Sequence, residues 1–255
     1  MELLPFGNLP AYKPRAFVPS DMKIERWETI APVFDQLESC LDDCSSASDL
    51  ERWLLKVSEF GAILDEEGSR RYIAMTCHSS AQEAKEAYLD FIENIEPHLK
   101  EEFFVLARKF VDHPDKCNLP EDRYEILNRD WQSTVDLFRE KNVPLETEES
   151  KLGQQYQEKM GALTVEFQGE EKTLVQMGVY LQETDRGLRK EAWRLVADKR
   201  LDVSEYCDSQ FDRLKDIRIR IAKNAGYSDY RDFKHVAKGR FDYRPEDCFE
   251  FHKAV

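Results

Sequence analysis

The stretch Ser48-Asp-Leu-Glu-Arg-Trp-Leu-Leu-Lys-Val-Ser-Glu-Phe-Gly-Ala-Ile-Leu64 sets the reading of the whole chain. Leu50, Trp53, Leu54, Val57, Phe60 and Leu64 recur at three- and four-residue steps, which places them on one face of an α-helix. Ser48 followed three positions later by Glu51 is a capping-box signature and predicts where that helix starts. A face this apolar must be covered by other helices.

Working outward, the same period returns. Ser80 with Glu83 repeats the cap ahead of Tyr88, Phe91, Ile92 and Ile95. Pro97 predicts the first turn, or a kink, of a helix carrying Leu99, Phe103, Leu106, Phe110 and Val111. Another helix is predicted from near Pro120 to about Lys141, with Tyr124, Leu127, Trp131, Val135 and Phe138 inward. Upstream, the first 20 residues hold four of the ten prolines and no period, and read as an extended arm on the body of the protein. Downstream, Ala162-Leu-Thr-Val-Glu-Phe-Gln168 alternates with period two; Gly169-Glu-Glu supplies a turn and Lys172-Thr-Leu-Val175 returns. Val203 to Ala222 is helical again, with Gln210 or Phe211 as its middle inward position, and Gly226 stands where a C-terminal cap is wanted. The expected fold is mainly α: an antiparallel, bundle-like helical lobe, then one β-hairpin and further helices. The expected units are an arm at 1–20, a helical lobe at 21–160, and a hairpin-plus-helix unit at 161–255.

Composition limits the function classes. With 255 residues the chain can bury a sizeable core. Ten Gly and ten Pro, set against 35% charged residues, favour long helices over a turn-rich β fold. The formal charge of −14 argues against nucleic acid or an anionic membrane as partner. No stretch reaches the roughly 18 apolar residues of a membrane span, and Met1-Glu-Leu-Leu-Pro-Phe-Gly is no secretory signal, so a cytoplasmic location is expected. The six cysteines have no CxxC and read as thiols.

Few residue groups are candidates for chemistry. None of the five histidines is followed by Glu, so no HExxH metal helix exists. Cys248 and His252 share a helical face, as do Cys40 and Cys44, but each pair offers two ligands at most, with His235 able to join only from elsewhere; a structural role is expected. There is no G-x-S-x-G elbow and no phosphate loop, and the paired carboxylates such as Glu66-Glu67 read as solvated faces. Trp53, Trp131 and Trp193 lie on or beside apolar faces, and core packing is expected of them. From Arg186 to Lys223 there are eleven Lys or Arg against seven Asp or Glu, a local excess of +4 in an acidic chain. Arg186, Arg189, Lys190 and Arg194 gather on one helix. They either pair with acidic helices or form the positive wall of a peptide-binding channel.

Between Gly161 and Val255 these features string together in order: Thr173-Leu174, Tyr180-Leu181, Asp185-Arg186, Arg189, Glu191-Ala-Trp193, Ala222-Lys-Asn-Ala-Gly-Tyr227, Tyr230-Arg-Asp232, Arg240-Phe-Asp-Tyr243 and Pro245-Glu-Asp-Cys248. The series resembles the middle of the oligoendopeptidase F branch of the M3 metallopeptidases. It departs at Arg244, where the family often has Thr, so the helix starting at Pro245 should be less well capped. The resemblance implies a helical shell around a zinc-containing cleft that hydrolyses short peptides, with the HExxH ligands downstream of this stretch. On that basis no catalytic and no metal residue is expected in this chain, zinc belongs to the full-length parent, and Arg186, Arg189 and Arg194 would line the substrate channel. The expectation is a truncated N-terminal portion, inactive alone and prone to self-association through the face its missing half would cover. A non-catalytic helical module that binds peptides or a protein partner is the alternative.

Overall fold

The computed structural model describes residues 14–77 and 81–255. Among them the architecture is mainly α, with helices α1 (Trp27–Asp42), α2 (Ala47–Cys77), α3 (Gln82–Asn94), α4 (Glu96–Val111), α5 (Glu121–Leu137) and α6 (Val143–Gly161). A two-stranded hairpin, β1 (Thr164–Phe167) and β2 (Glu170–Thr173), comes next. Then follow α7 (Arg186–Leu201), α8 (Ser204–Asn224), α9 (Tyr230–Ala237) and α10 (Pro245–Ala254). No described helix is long and apolar enough to cross a membrane.

The first core forms on the face read from residues 48–64. Leu50, Trp53, Leu54, Val57, Phe60 and Leu64 are all buried, against Ile30, Phe34, Leu37 and Leu41 of α1 and Leu106 and Phe110 of α4. Each large side chain buried this way contributes about 1.5–3 kcal/mol. Phe34 meets Phe60 and Phe103 edge-on, with centroids 5.1 Å apart in both pairs. Trp53 donates its indole N–H to the Leu37 carbonyl at 2.8 Å, so its one polar atom is satisfied inside the core.

Several local details differ from the sequence expectation. The cap of α2 is Ser46, not Ser48: the Asp49 amide donates to Ser46 Oγ at 3.2 Å, and Ser46 Oγ donates back to the Asp49 carboxylate at 2.7 Å. Ser46-Ala-Ser-Asp49 satisfies the same S-x-x-acid spacing two residues earlier, and the extra half turn releases Glu51 to accept from the Tyr124 hydroxyl at 2.7 Å. Ser80 lies outside the described residues, and α3 opens on Ala81 with no side-chain cap. Helix α5 stops at Leu137 rather than Lys141, because Phe138 turns extended and stacks on Phe104 with centroids 4.1 Å apart. A short 3-10 turn at Glu140–Asn142 leads into α6, whose first turn carries Pro144.

The hairpin turn is Gln168-Gly169 alone, not Gly169-Glu-Glu. Both residues have positive φ, 55° and 79°, the two-residue geometry whose twist matches paired antiparallel strands. The return strand therefore starts at Glu170, and Thr164 pairs with Thr173. Helix α8 closes as foreseen: Gly226 takes φ 90°, its amide bonds to the Lys223 carbonyl at 3.1 Å, and the Tyr227 amide reaches the Ala222 carbonyl at 3.0 Å. Of the two residues left open within α8, Gln210 is buried and Phe211 exposed.

Two smaller clusters complete the packing. Leu145 and Leu152 of α6 join Ile217, Ile221 and Ala222 of α8 and Phe233 of α9. Val165 and Phe167 of β1 join Met177, from the 3-10 segment Gln176–Gln182, and Ala192 of α7. Asn142 pins the joint between α6 and α8, donating to the Ile221 carbonyl at 3.1 Å and accepting from the Asn224 side chain at 2.7 Å. Lys100 of α4 bridges Glu96 at 3.1 Å and Glu146 of α6 at 2.9 Å. Burial works against the charge of Lys100, yet the two carboxylates outweigh it and raise its pKa. At the N-terminal side, the Glu59 carboxylate accepts from the amides of Ala16, Phe17 and Val18, each at 2.8 Å, and Val18 is buried beneath.

Candidate functional site

Helix α7 carries the residues singled out for the channel wall. It begins at Asp185, whose carboxylate accepts from the amides of Gly187 at 2.7 Å and Leu188 at 3.3 Å. Glycine suits position 187, where a Cβ would lie 3.1 Å from that carboxylate oxygen. Ala192 is fully buried, and Leu188, Leu195 and Val196 pack beside it against Phe167, Met177 and Tyr180. The sheet therefore fixes one side of α7 and leaves the other in solvent.

The structure separates the three arginines by role. Arg189 is half-buried and spends its guanidinium on the backbone, donating to the carbonyls of Glu183 and, at 2.8 Å, Thr184. It fastens the segment entering the helix and presents little charge outward. Arg186 and Arg194 are exposed, and among the described residues no carboxylate lies within 4.0 Å of either. The same holds for Lys190. Intramolecular pairing with acidic helices is therefore not what these cations do in the fold.

Trp193 is corrected as well. It stands 60% exposed between these cations instead of packing in a core, whereas Trp53 is buried and Trp131 meets Phe110 at 4.9 Å. Leu201 follows two turns later on the same outward face and is also exposed. At 100° per residue, Arg186, Lys190, Trp193, Arg194 and Leu201 fall within one third of the helix circumference. The face thus combines fixed positive charge with an indole, which suits anionic groups flanked by apolar side chains. Sequence spacing exposed the charges but not the Trp, because Ala192, the residue that points inward, gives a weak apolar signal.

The other candidates play structural parts. His235 is buried with Nε2 2.8 Å from the Tyr243 carbonyl, so that nitrogen is engaged in holding the segment after α9. Cys248 is half-buried and His252 exposed on α10. Among the described residues no three His, Cys, Asp or Glu side chains are grouped to hold a metal, and this donor set does not fit zinc. At the start of α10, Asp247 accepts from the Arg244 amide at 2.7 Å, which is half of a reciprocal cap. The guanidinium of Arg244 has no acceptor atom to return the other half.

No protein-family model and no curated protein sequence matches the chain. Solved structures do. A structure of PZ peptidase A with an inhibitor superposes with a TM-score of 0.85 at 23% identity, over 92% of this chain and 42% of that one. A protein described as an oligoendopeptidase F from Bacillus anthracis str. Ames gives 0.85 at 21% identity, over 95% and 45%. Another described in the same way gives 0.84 at 20% identity, over 92% and 42%. The chain thus has the fold of part of these peptidases, as its resemblance implied, and spans less than half the length of each.

Proposed function

We propose that the chain forms one portion of a zinc-dependent oligopeptidase of the M3 type, cytoplasmic and acting on short peptides. In this reading the outward face of α7, with Arg186 and Arg194, is a wall of the peptide channel, and Arg189 positions that wall. The observation that carries the reading is the superposition at TM-scores of 0.84–0.85 over 92–95% of the chain on structures described as peptidases. The unpaired cations around an exposed indole support the placement of the wall, since a peptide carboxylate needs such donors. In this reading zinc belongs to the full-length parent; among the described residues no three His, Cys, Asp or Glu are grouped to hold it. The division at residue 160, into a helical lobe and the opening of a catalytic unit, belongs to the same proposal.

The chain alone should therefore neither hold stoichiometric zinc nor turn over peptide. Metal analysis and a fluorogenic peptide assay test this, and one tightly held zinc with turnover would refute it. The wall is tested separately by peptide binding. Arg186→Glu with Arg194→Glu should weaken binding of a short acidic peptide, and an unchanged Kd removes these residues from the channel.

The alternative, a non-catalytic binding module, is favoured by one observation, the 60% exposure of Trp193 on a face without ion pairs among the described residues. It requires the isolated chain to bind its target with high affinity, which the peptidase reading does not.

A further inference from the structure

Outside α7, one group of reactive side chains is left unused by the peptidase reading. Cys40 lies in the last turn of α1 and Cys44 just beyond its end, both half-buried at the corner leading into α2. The Lys56 ammonium, from α2, sits 3.5 Å from Cys40 Sγ. It also lies 5.5 Å from the centre of the Phe17 ring, and no carboxylate is within 4.0 Å among the described residues. The Cys44 thiol donates to the backbone carbonyl of Cys40 at 3.2 Å, so both sulfurs occupy the same corner. Cys44 lies outside the helix, its amide bonded to the Leu41 carbonyl at 3.0 Å, so a disulfide here would close across the helix end and not within a regular helical turn.

We propose that Cys40 and Cys44 form an oxidisable pair that a hydroperoxide closes to an intramolecular disulfide, with Lys56 directing the first attack to Cys40. The Cys40 sulfur, as thiolate, attacks one peroxide oxygen and the O–O bond breaks. With hydrogen peroxide the departing oxygen leaves as hydroxide and takes up, through solvent, the proton that the Cys40 thiol released, giving water, and Cys40 becomes a sulfenic acid. The Cys44 sulfur then attacks the Cys40 sulfur and the S–O bond breaks. The hydroxide released takes the Cys44 proton and leaves as water. Two thiols are oxidised by two electrons and the peroxide is reduced.

The order of events follows from the surroundings. The Lys56 ammonium beside Cys40 favours the attacking thiolate before the O–O bond breaks. Burial, followed by the nearby Asp49 and Cys40, pushes the Cys44 thiol up and keeps it protonated until a sulfenic acid is beside it. Cys44 also borders a surface cavity of about 610 Å³ lined by Arg108 and His113. Cys77 and Cys117 are more exposed, no lysine is hydrogen-bonded to either thiol among the described residues, and they serve as internal controls.

The test is limiting hydrogen peroxide on the full chain, followed by alkylation and mass spectrometry. The Cys40–Cys44 peptide should lose two hydrogens and resist alkylation before Cys77 or Cys117 reacts. Cleavage before Asp42 or Asp43 should leave its halves joined until reduction. Lys56→Met should slow the step about tenfold, the ~1.4 kcal/mol of one charge-assisted hydrogen bond. Lys56→Arg should restore it, and Cys44→Ser should leave a sulfenic acid that dimedone traps at Cys40. The proposal fails if the exposed cysteines oxidise first, if Lys56→Met leaves the rate unchanged, or if Cys40 links to Lys56 instead.

Discussion

Removing the Glu59 carboxylate should detach the segment around residues 15–18 while leaving the helical core intact. Three backbone amides converge on this one side chain at 2.8 Å each. Hydrogen bonds to a charged acceptor contribute about 1.5–3 kcal/mol apiece, and holding each of three residues in place costs about 1–2 kcal/mol. Burial of Val18 adds to the favourable side, and a net of about 2 kcal/mol remains, roughly a thirtyfold change in the attached fraction. The assay is amide hydrogen exchange, read at Ala16, Phe17 and Val18. Glu59→Ala should lower their protection by that factor while the amides of α2 stay unchanged, and Glu59→Gln, which keeps one acceptor oxygen, should fall between. Acid should reproduce the effect. Burial alone would raise the Glu59 carboxyl, but the amides of Ala16, Val18 and Phe17 outweigh it and hold it below the ordinary glutamate value. A group depressed in the folded state stabilises above its unfolded value, about 4.3, and loses that contribution as pH falls through the folded one. Protection should thus persist at pH 6 and decline below pH 4. Unchanged protection in Glu59→Ala would mean that apolar contact alone holds the segment, and the reasoning would be wrong.

Three further substitutions probe the fold by denaturant or thermal melts. Ser46→Ala should cost about 1 kcal/mol and Ser48→Ala less than about 0.5 kcal/mol, because only Ser46 caps α2. Trp53→Ala should cost about 3–5 kcal/mol, whereas Trp193→Ala should change stability by under about 0.5 kcal/mol and remove the indole most accessible to acrylamide quenching. Gln168→Gly should stabilise by about 0.5–1 kcal/mol, since a residue with a Cβ holds φ 55° there; a loss of stability would show that the Gln side chain contributes more than its backbone costs.

The helical face at 50–64 was legible because six large apolar side chains kept one period, and all six are buried. Boundaries were less so. Ser46 and Ser48 each have an acid three residues on, Asp49 and Glu51, and only tertiary demand for Glu51 at Tyr124 separates them. Likewise, nothing local in Phe138 ends a helix; its ring finds Phe104 across the fold. The turn at Gln168-Gly169 was displaced in the reading because glutamine is an unusual residue at positive φ. In the candidate site, the charge excess of α7 was visible in composition, but the division of labour between Arg189 and its neighbours depends on carbonyls at Glu183 and Thr184, which carry no side-chain signal.

That division bears on how the molecule can diverge. Arg189 is tied to main-chain carbonyls that every sequence possesses, so drift there would loosen the approach to α7 whatever the ligand. Among the described residues, Arg186 and Arg194 are exposed and make no ion pair. Descendants of this chain can therefore exchange those two residues without loosening the fold, while the arginine between them stays put.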